Sequence, residues 1–479
     1  MTRPGRVEIW VFLILFGSYA YFWQSRDWNS ASRLMLTYAM VDRGTITLNG
    51  LEDQTHDRAF FQSHFYTDKL PGFSMLATGP YALAKLVFRL PDHPLNVKGF
   101  SHWPADYWVT LGTSGLFSAL TGALLFGLAL ELGCTNGRAA LVGLAYGLST
   151  PAYAYATMSY GHQASAFCLL ASFALLWRTS GPKQSLRVGV AGILAAYASV
   201  IELQMGPVSA ILGLYLLCQV IGGSRKPTTL GDFAVGAAIP TLLLLGYNQL
   251  AFGSPWDMGY FHHTTKEFAD VHSEANPLGL RGPQAARALA LLWGRHRGLL
   301  FYAPVVVLAP LGLISLWFQK QRGMAIVCLL TMASIFAVNL SYPEWTGGWS
   351  TGPRLLVPLL PFALLAVAGL LANGGRWVFR ICLALAAAGG ILMLMFVAIG
   401  ARVPQDFLDP LFEVVIPIWK GETIPNWPGP PFARTALALL PGTFSSQILG
   451  DGGFAFAPLV LAQLAAIGLM SVRLRKRHA

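Results

Sequence analysis

The residues of this chain with acid–base or charge chemistry gather in polar stretches between long apolar runs. The first stretch, 24–72, opens Arg26-Asp27-Trp28-Asn29-Ser30-Ala31-Ser32-Arg33 and closes Tyr66-Thr67-Asp68-Lys69-Leu70-Pro71-Gly72, with Asp42, Asp53, His56, Asp57 and His64 between them. Carboxylates and a lysine kept together at one membrane edge point to proton transfer and anion binding. Asp27 stands just past the first apolar run. A general base there needs only hydrogen-bond reach of an acceptor hydroxyl. The same position suits the N-cap of a helix over 29–43, which Asp does well, and both roles stay open. Lys69 precedes a helix expected to start near Pro71; a lysine beside the free N–H groups of a helix start makes a phosphate site. Asp68 is placed to pair with Lys69, to cap that helix or to hold a cation, and a solvated turn is the plain alternative. His56, Asp57 and His64 lack a ligand spacing such as His-x-x-x-His, so structural roles are expected of them and no metal ligand is assigned.

Later stretches carry fewer such groups. His162 and Glu202 sit at span ends, where an ionisable side chain is costly unless paired; a hydrogen-bonded cap is the plain reading and a substrate contact the sharper one. Trp293-Gly294-Arg295-His296-Arg297 puts two arginines on the side opposite the other basic turns, where they want an anion, either lipid headgroup or substrate phosphate. His262, His263 and His272 are expected to be exposed. In Glu344-Trp345-Thr346-Gly347-Gly348-Trp349-Ser350-Thr351-Gly352-Pro353-Arg354 the glycines permit close backbone approach. Trp345 and Trp349 offer flat faces to a sugar, and Arg354 suits bidentate phosphate contact. An aromatic-belt turn with a snorkelling arginine is the alternative.

The elements that position these groups follow from composition. Of 479 residues 54% are hydrophobic and only 11% charged, against about a quarter charged in soluble domains. The fold class is therefore an all-α polytopic membrane protein. A crossing needs about 20 mainly apolar residues, and the apolar runs are 7–23, 106–132, 138–157, 162–178, 187–203, 206–221, 230–250, 298–318, 323–340, 354–372, 380–400 and 454–472. Starting from Arg3 and Arg6 inside, Arg138, Arg178/Lys183/Arg187, Arg225/Lys226, Lys320/Arg322, Arg376/Arg380 and the C-terminal Arg473–Arg477 cluster all fall on the cytoplasmic side. The net charge of +11 is thus topological and implies membrane lipids, not nucleic acid, as the partner. The segment 71–90, interrupted by Lys85 and Arg89, is read as a juxtamembrane helix, and 30–43 as a second one with Leu34, Leu36, Tyr38 and Val41 toward lipid or protein. The whole is one integral membrane domain, 1–479. It comprises 1–23 as first crossing, 24–105 as first outer loop, 106–250 as crossings, 251–297 as loop, 298–400 as crossings with an outer loop at 341–354, 401–453 as loop and 454–479 as last crossing and basic tail. The last loop, with Trp419, Pro425, Trp427, Pro428, Pro430 and Pro431, is expected to be irregular and to shield the site or touch acceptor.

These residues together resemble the GT-C superfamily of polyprenyl-phosphate-sugar-dependent membrane glycosyltransferases, with lipid A aminoarabinose transferases and protein O-mannosyltransferases as familiar relatives. Asp27 matches the acidic residue that follows the first crossing in that superfamily. Lys69-Leu70-Pro71-Gly72 resembles the Lys-Pro-Pro-Leu motif that contacts lipid phosphate in the aminoarabinose transferases. Gly352-Pro353-Arg354 resembles a Gly-x-Arg-Tyr-type segment at the start of a late crossing. Trp28 stands where Asp-Glu motifs have Glu, so Asp57 and Asp68 stay open as the base. The resemblance implies a GT-C-like bundle of about twelve crossings and inverting transfer from a polyprenyl phosphate sugar to a lipid, glycan or protein hydroxyl. It implies Asp27 as base and Lys69 and Arg354, with Arg33, Arg295 or Arg297, at the donor phosphate; Tyr66, His162, Glu344, Trp345 and Trp349 are candidates for contact with substrate. No cofactor is assigned, and a divalent cation, used by some superfamily members, stays open. The expected setting is a bacterial inner membrane with both termini cytoplasmic and the site periplasmic. The alternatives are a twelve-span transporter, which predicts a repeat between halves and ionisable groups within spans, and a non-catalytic membrane subunit of a cell-envelope glycan pathway.

Overall fold

The computed structural model describes residues 7–24, 26–97, 103–178, 183–427, 432–435 and 456–475. Arg3, Arg6, Pro428, Pro430, Pro431, Lys476 and Arg477 lie outside them.

Among the described residues, seven helices are long and apolar enough to cross a membrane: Pro104–Glu131, Gln184–Ile201, Leu203–Ile221, Thr228–Phe252, Arg322–Ser341, Arg354–Asn373 and Arg376–Ile399. Val7–Ala20, His162–Trp177, Pro304–Phe318 and Ala457–Met470 are apolar but shorter. The chain is an all-α integral membrane protein. The expected crossing at 138–157 is divided into Asn136–Leu148 and the short helix Ala152–Ala156, with Pro151 at the start of the second. A proline ring clashes with the preceding turn and donates no N–H, so the first helix cannot run through it.

Small residues set how closely the helices approach. A Cβ on Gly122 would lie 2.2 Å from Leu15 Cδ1 and 3.1 Å from the Gly143 carbonyl oxygen, and one on Gly192 would lie 2.1 Å from the Phe233 carbonyl oxygen. The first pair joins Val7–Ala20, Pro104–Glu131 and Asn136–Leu148; the second joins Gln184–Ile201 to Thr228–Phe252. Backbone-to-backbone approach at glycine is the usual solution in lipid, where burial of apolar surface gives no drive.

The first polar loop holds two helices, Trp28–Arg43 and Gly72–Phe88, which pack on each other. Leu34, Leu36 and Tyr38 face protein and are fully buried, and Val41 is half-buried. Polar bonds lock the pair: the Tyr81 hydroxyl donates to Asp42 at 2.8 Å and the Lys85 ammonium donates to Asp42 as well, while the Tyr38 hydroxyl donates to Asp106 and ties the first helix to Pro104–Glu131. Between the helices runs a hairpin that helical periodicity does not announce. Arg58–Phe61 pairs antiparallel with His64–Thr67, Arg58 opposite Thr67 and Phe61 opposite His64. The residues flanking its open end are Asp57 and Asp68, so the hairpin sets two distant carboxylates side by side. A second short ladder joins Phe22–Trp23 to Arg434–Thr435.

Candidate functional site

A cavity of about 700 Å³ opens where the polar loops meet. Its walls take residues from all four long connections: Asp27, Asp57 and Lys69 from the first, His263 and His272 from the second, Glu344 and Trp349 from the third, and Arg402 and Gln405 from the last.

Of the two readings the sequence left open, the structure shows Asp27 as the helix N-cap. Its backbone is extended, φ −124°, and its Oδ1 accepts the Ser30 N–H at 2.7 Å and the Ser30 hydroxyl at 2.6 Å. The Ser30 oxygen in turn accepts the Asp27 N–H at 2.9 Å, closing a capping box that satisfies two orphan donors of the helix start. The other carboxylate oxygen, Oδ2, accepts the hydroxyl of Tyr160. Capping therefore uses one oxygen, and the second bonds Tyr160, in a residue that lines the cavity.

Arg354 opens its helix after Gly352, whose φ of +62° is a left-handed conformation that glycine adopts without strain. Gly347 lies so close that a Cβ there would sit 2.8 Å from Arg354 Cγ. The guanidinium covers the Tyr160 ring at 5.3 Å, and its Nη1 donates to the Tyr160 hydroxyl at 3.3 Å. Its Nε is buried with no protein partner among the described residues. Arg33 is 2% exposed and gives one nitrogen to Glu202 at 3.0 Å, while its Nη1 likewise has no protein partner. Both ring nitrogens of the buried His162 lack hydrogen-bond partners too, with Nδ1 3.6 Å from Glu202. Buried donors in native proteins are nearly always satisfied, and these all belong to residues that line one cavity.

Lys69 is held between two carboxylates, Asp57 at 2.8 Å and Asp68 at 2.5 Å. Burial pushes its ammonium down, but the two carboxylates outweigh burial and hold it above the usual lysine range. Burial pushes the Asp68 carboxyl up, and Lys69 and His263 bring it below its usual range. Asp68 is 2% exposed, so removing its counter-charge leaves a buried anion. Lys69→Met is expected to destabilise the fold by about 3–5 kcal/mol, read as a lower midpoint of thermal unfolding in detergent. Adding Asp68→Asn should recover part of the loss, and an unchanged midpoint in Lys69→Met would contradict the pairing.

The cavity also takes residues that sequence reading did not select: Arg26, Arg402, Tyr260, His263, His272 and Tyr342. Arg26 pairs with Asp106 at 3.1 Å, and its carbonyl accepts the Arg402 Nη1 at 2.5 Å. Arg402 carried a usable signal, since it is a basic residue on the same side as Arg295 and Arg297. His263 is buried and His262 and His272 are half-buried, contrary to the expected exposure. A bridge to Ala59 of the hairpin carries His263 inward. Burial keeps His263 below its usual range despite Asp68 at 3.7 Å.

Of the other expected site residues, Arg297 is fully buried and donates to the carbonyls of Thr346, Gly348 and His296, each at 3.0 Å. It fastens the loop that carries Trp349 and lies behind the cavity wall. Arg295 pairs with Asp409 at 2.8 Å on the surface. Tyr66 packs on Phe252 and Trp345 on His296, both away from the cavity lining. Among the described residues no group of three or more His, Cys, Asp or Glu side chains converges as for a metal ion.

Burial and the neighbouring Arg26 hold His93 at about 4, against about 6.5 for a free histidine. A folded-state value below the unfolded one contributes stability above the unfolded pKa and loses it as pH falls toward the folded one. Since Arg26 is 3.4 Å from the His93 ring, acid should loosen this wall. The thermal midpoint is expected to fall between about pH 6.5 and about pH 4, with a shallower slope in His93→Gln; equal slopes would contradict the assignment.

No protein-family model matches this chain, and no curated protein does. Solved structures do. AglB from Archaeoglobus fulgidus, an archaeal oligosaccharyltransferase in complex with an inhibitory peptide and a dolichol-phosphate, aligns with a TM-score of 0.50 and 12% identity, over 81% of this chain and 55% of that one. ArnT from Cupriavidus metallidurans, bound to undecaprenyl phosphate, aligns with a TM-score of 0.49 and 14% identity, over 86% of this chain and 68% of that one. The chain thus spans little more than half the length of the archaeal protein. The architecture shared with it is the GT-C fold.

Proposed function

We propose that this protein transfers a sugar from a polyprenyl phosphate donor to an acceptor hydroxyl in the cavity where its polar loops meet. One observation carries the reading: buried nitrogens of Arg33, Arg354 and His162 without protein partners among the described residues belong to the same cavity lining as Asp27, whose Oδ2 is not used in capping and accepts only the Tyr160 hydroxyl. Such a wall fits an anion, and the carboxylate fits a hydroxyl proton. The acceptor oxygen attacks the anomeric carbon, the bond from that carbon to phosphate oxygen breaks, and the hydroxyl proton passes to Asp27. Polyprenyl phosphate leaves with the electron pair. Arg354 and Arg33 stabilise the charge that develops on it, which is where fixed cations are most effective. A single base acting on the acceptor gives inversion. Asp57 and Asp68 are engaged by Lys69, which favours Asp27 as the base. Lys69, tied to both, serves donor phosphate only as part of a set with Arg354. Trp349 and Glu344, exposed at the cavity, contact sugar, while Arg295, Tyr66 and Trp345 support the wall from outside it. The AglB structure contains a dolichol-phosphate, in keeping with this donor class. The basic turns support a site on the periplasmic face of a bacterial inner membrane with both termini cytoplasmic.

The test is a panel of polyprenyl phosphate sugars, labelled in the sugar, offered to purified protein with lipid, glycan and peptide acceptors. Label should move to one acceptor class with equimolar release of polyprenyl phosphate. Failure of every donor to bind or react would overturn the reading.

A further inference from the structure

We infer that Tyr160 is a positioning residue that ties the base to the donor-phosphate cation, fixing the two halves of the transfer in one register; this rests on the function proposed above. Its hydroxyl is the only group joining the two: it donates to Asp27 Oδ2 and accepts from Arg354 Nη1 at 3.3 Å, among the described residues. The tyrosine is 1% exposed and held on every side. Its ring lies under the Arg354 guanidinium, stacks on His162 at 5.6 Å and 20°, and meets Tyr155 edge-on at 5.6 Å and 87°. Its carbonyl accepts the Ser114 hydroxyl at 3.0 Å. The next residue, Gly161, has no room for a side chain: a Cβ there would lie 2.4 Å from Glu202 Oε1. The hydroxyl is thus carried by a rigid turn.

Asp27 has no comparable restraint on its reacting oxygen. The capping box holds Oδ1, but terminal torsions of carboxylates are soft, so Oδ2 would swing without a second partner. Bonding to Tyr160 fixes it and leaves lone-pair capacity on Oδ2 for the acceptor hydroxyl. The same hydroxyl steers Arg354, whose Nε then remains for the leaving phosphate.

Tyr160→Phe keeps the ring and removes only the link. It is expected to lower kcat by about ten- to a hundredfold, the size of one hydrogen bond to a charged group, with donor KM within about threefold and the thermal midpoint unchanged. Coupling is read in a double-mutant cycle: in the Asp27→Asn background, Tyr160→Phe should cost several-fold less than in the wild type, because only the Arg354 side of the link remains to be lost. Equal losses in both backgrounds, or a loss confined to donor KM with a lowered midpoint, would assign Tyr160 a merely structural role and overturn the inference. Full activity of Tyr160→Phe with Asp27→Asn inactive would also overturn it and leave the reading of Asp27 standing. Full activity of Asp27→Asn would remove both.

Discussion

Asn at position 27 is expected to stop sugar transfer while leaving the protein folded. Asparagine caps a helix as well as aspartate does, so its side-chain oxygen can still accept from the Ser30 N–H and hydroxyl that now bond Oδ1. What disappears is the proton acceptor on the cavity side. A positioned general base contributes about 10²–10⁴-fold, and turnover should fall by that amount with donor affinity and thermal midpoint close to wild type. Ala at the same position should lose the cap as well, at a cost of about 1 kcal/mol. The contrast between the two variants separates chemistry from folding, since both lose the base and only one loses the cap. Initial rates and thermal unfolding in detergent read the two effects independently. Near-wild-type turnover in Asp27→Asn would pass the role of base to Asp57, the half-buried carboxylate that shares Lys69 with the buried Asp68.

Arg354→Ala is the second large effect. Its guanidinium is held by the Tyr160 ring and hydroxyl and crowded by Gly347, and its Nε has no protein partner among the described residues. A preorganised donor aimed at developing charge is worth about 10²–10³ in turnover, and Arg354→Ala should lose that much and weaken binding of polyprenyl phosphate. Lysine should restore little, because a point charge on a flexible stem reproduces neither the planar fork nor the stacking on Tyr160. Turnover and polyprenyl phosphate affinity, the latter by native mass spectrometry, decide it. Both unchanged would mean that Arg354 only braces the loop, as Arg297 does.

The membrane helices and the polar first loop are legible in the sequence because their physics is local. Apolar runs of span length and charged residues at their ends need no knowledge of the fold. Asp27 stands out since a carboxylate at a span end is costly unless used or capped, and here it is capped. Arg354 stands out for the same reason, with glycines around it. The hairpin at 58–67 was hidden by its turn: Gln62 and Ser63 take φ of 44° and 66°, where Asn-Gly or a glycine would have announced it. Its consequence, the meeting of Asp57 with Asp68 across Lys69, was hidden with it. The burial of His263 depends on a bridge to residue 59, a contact between distant segments that no periodicity carries. Arg297 shows the converse. An arginine on the unexpected side reads as an anion ligand, yet three backbone carbonyls take its donors. Residue type identifies a group that needs a partner; only the fold says whether that partner is the chain itself.

The most direct measurement is single-turnover release of polyprenyl phosphate from a labelled polyprenyl phosphate sugar, with wild-type protein and Asp27→Asn compared at equal donor occupancy. The account predicts release coupled one-to-one to transfer in the wild type and a loss of about 10²–10⁴-fold in the variant. Donor that binds both proteins and is released by both at the same rate would contradict it.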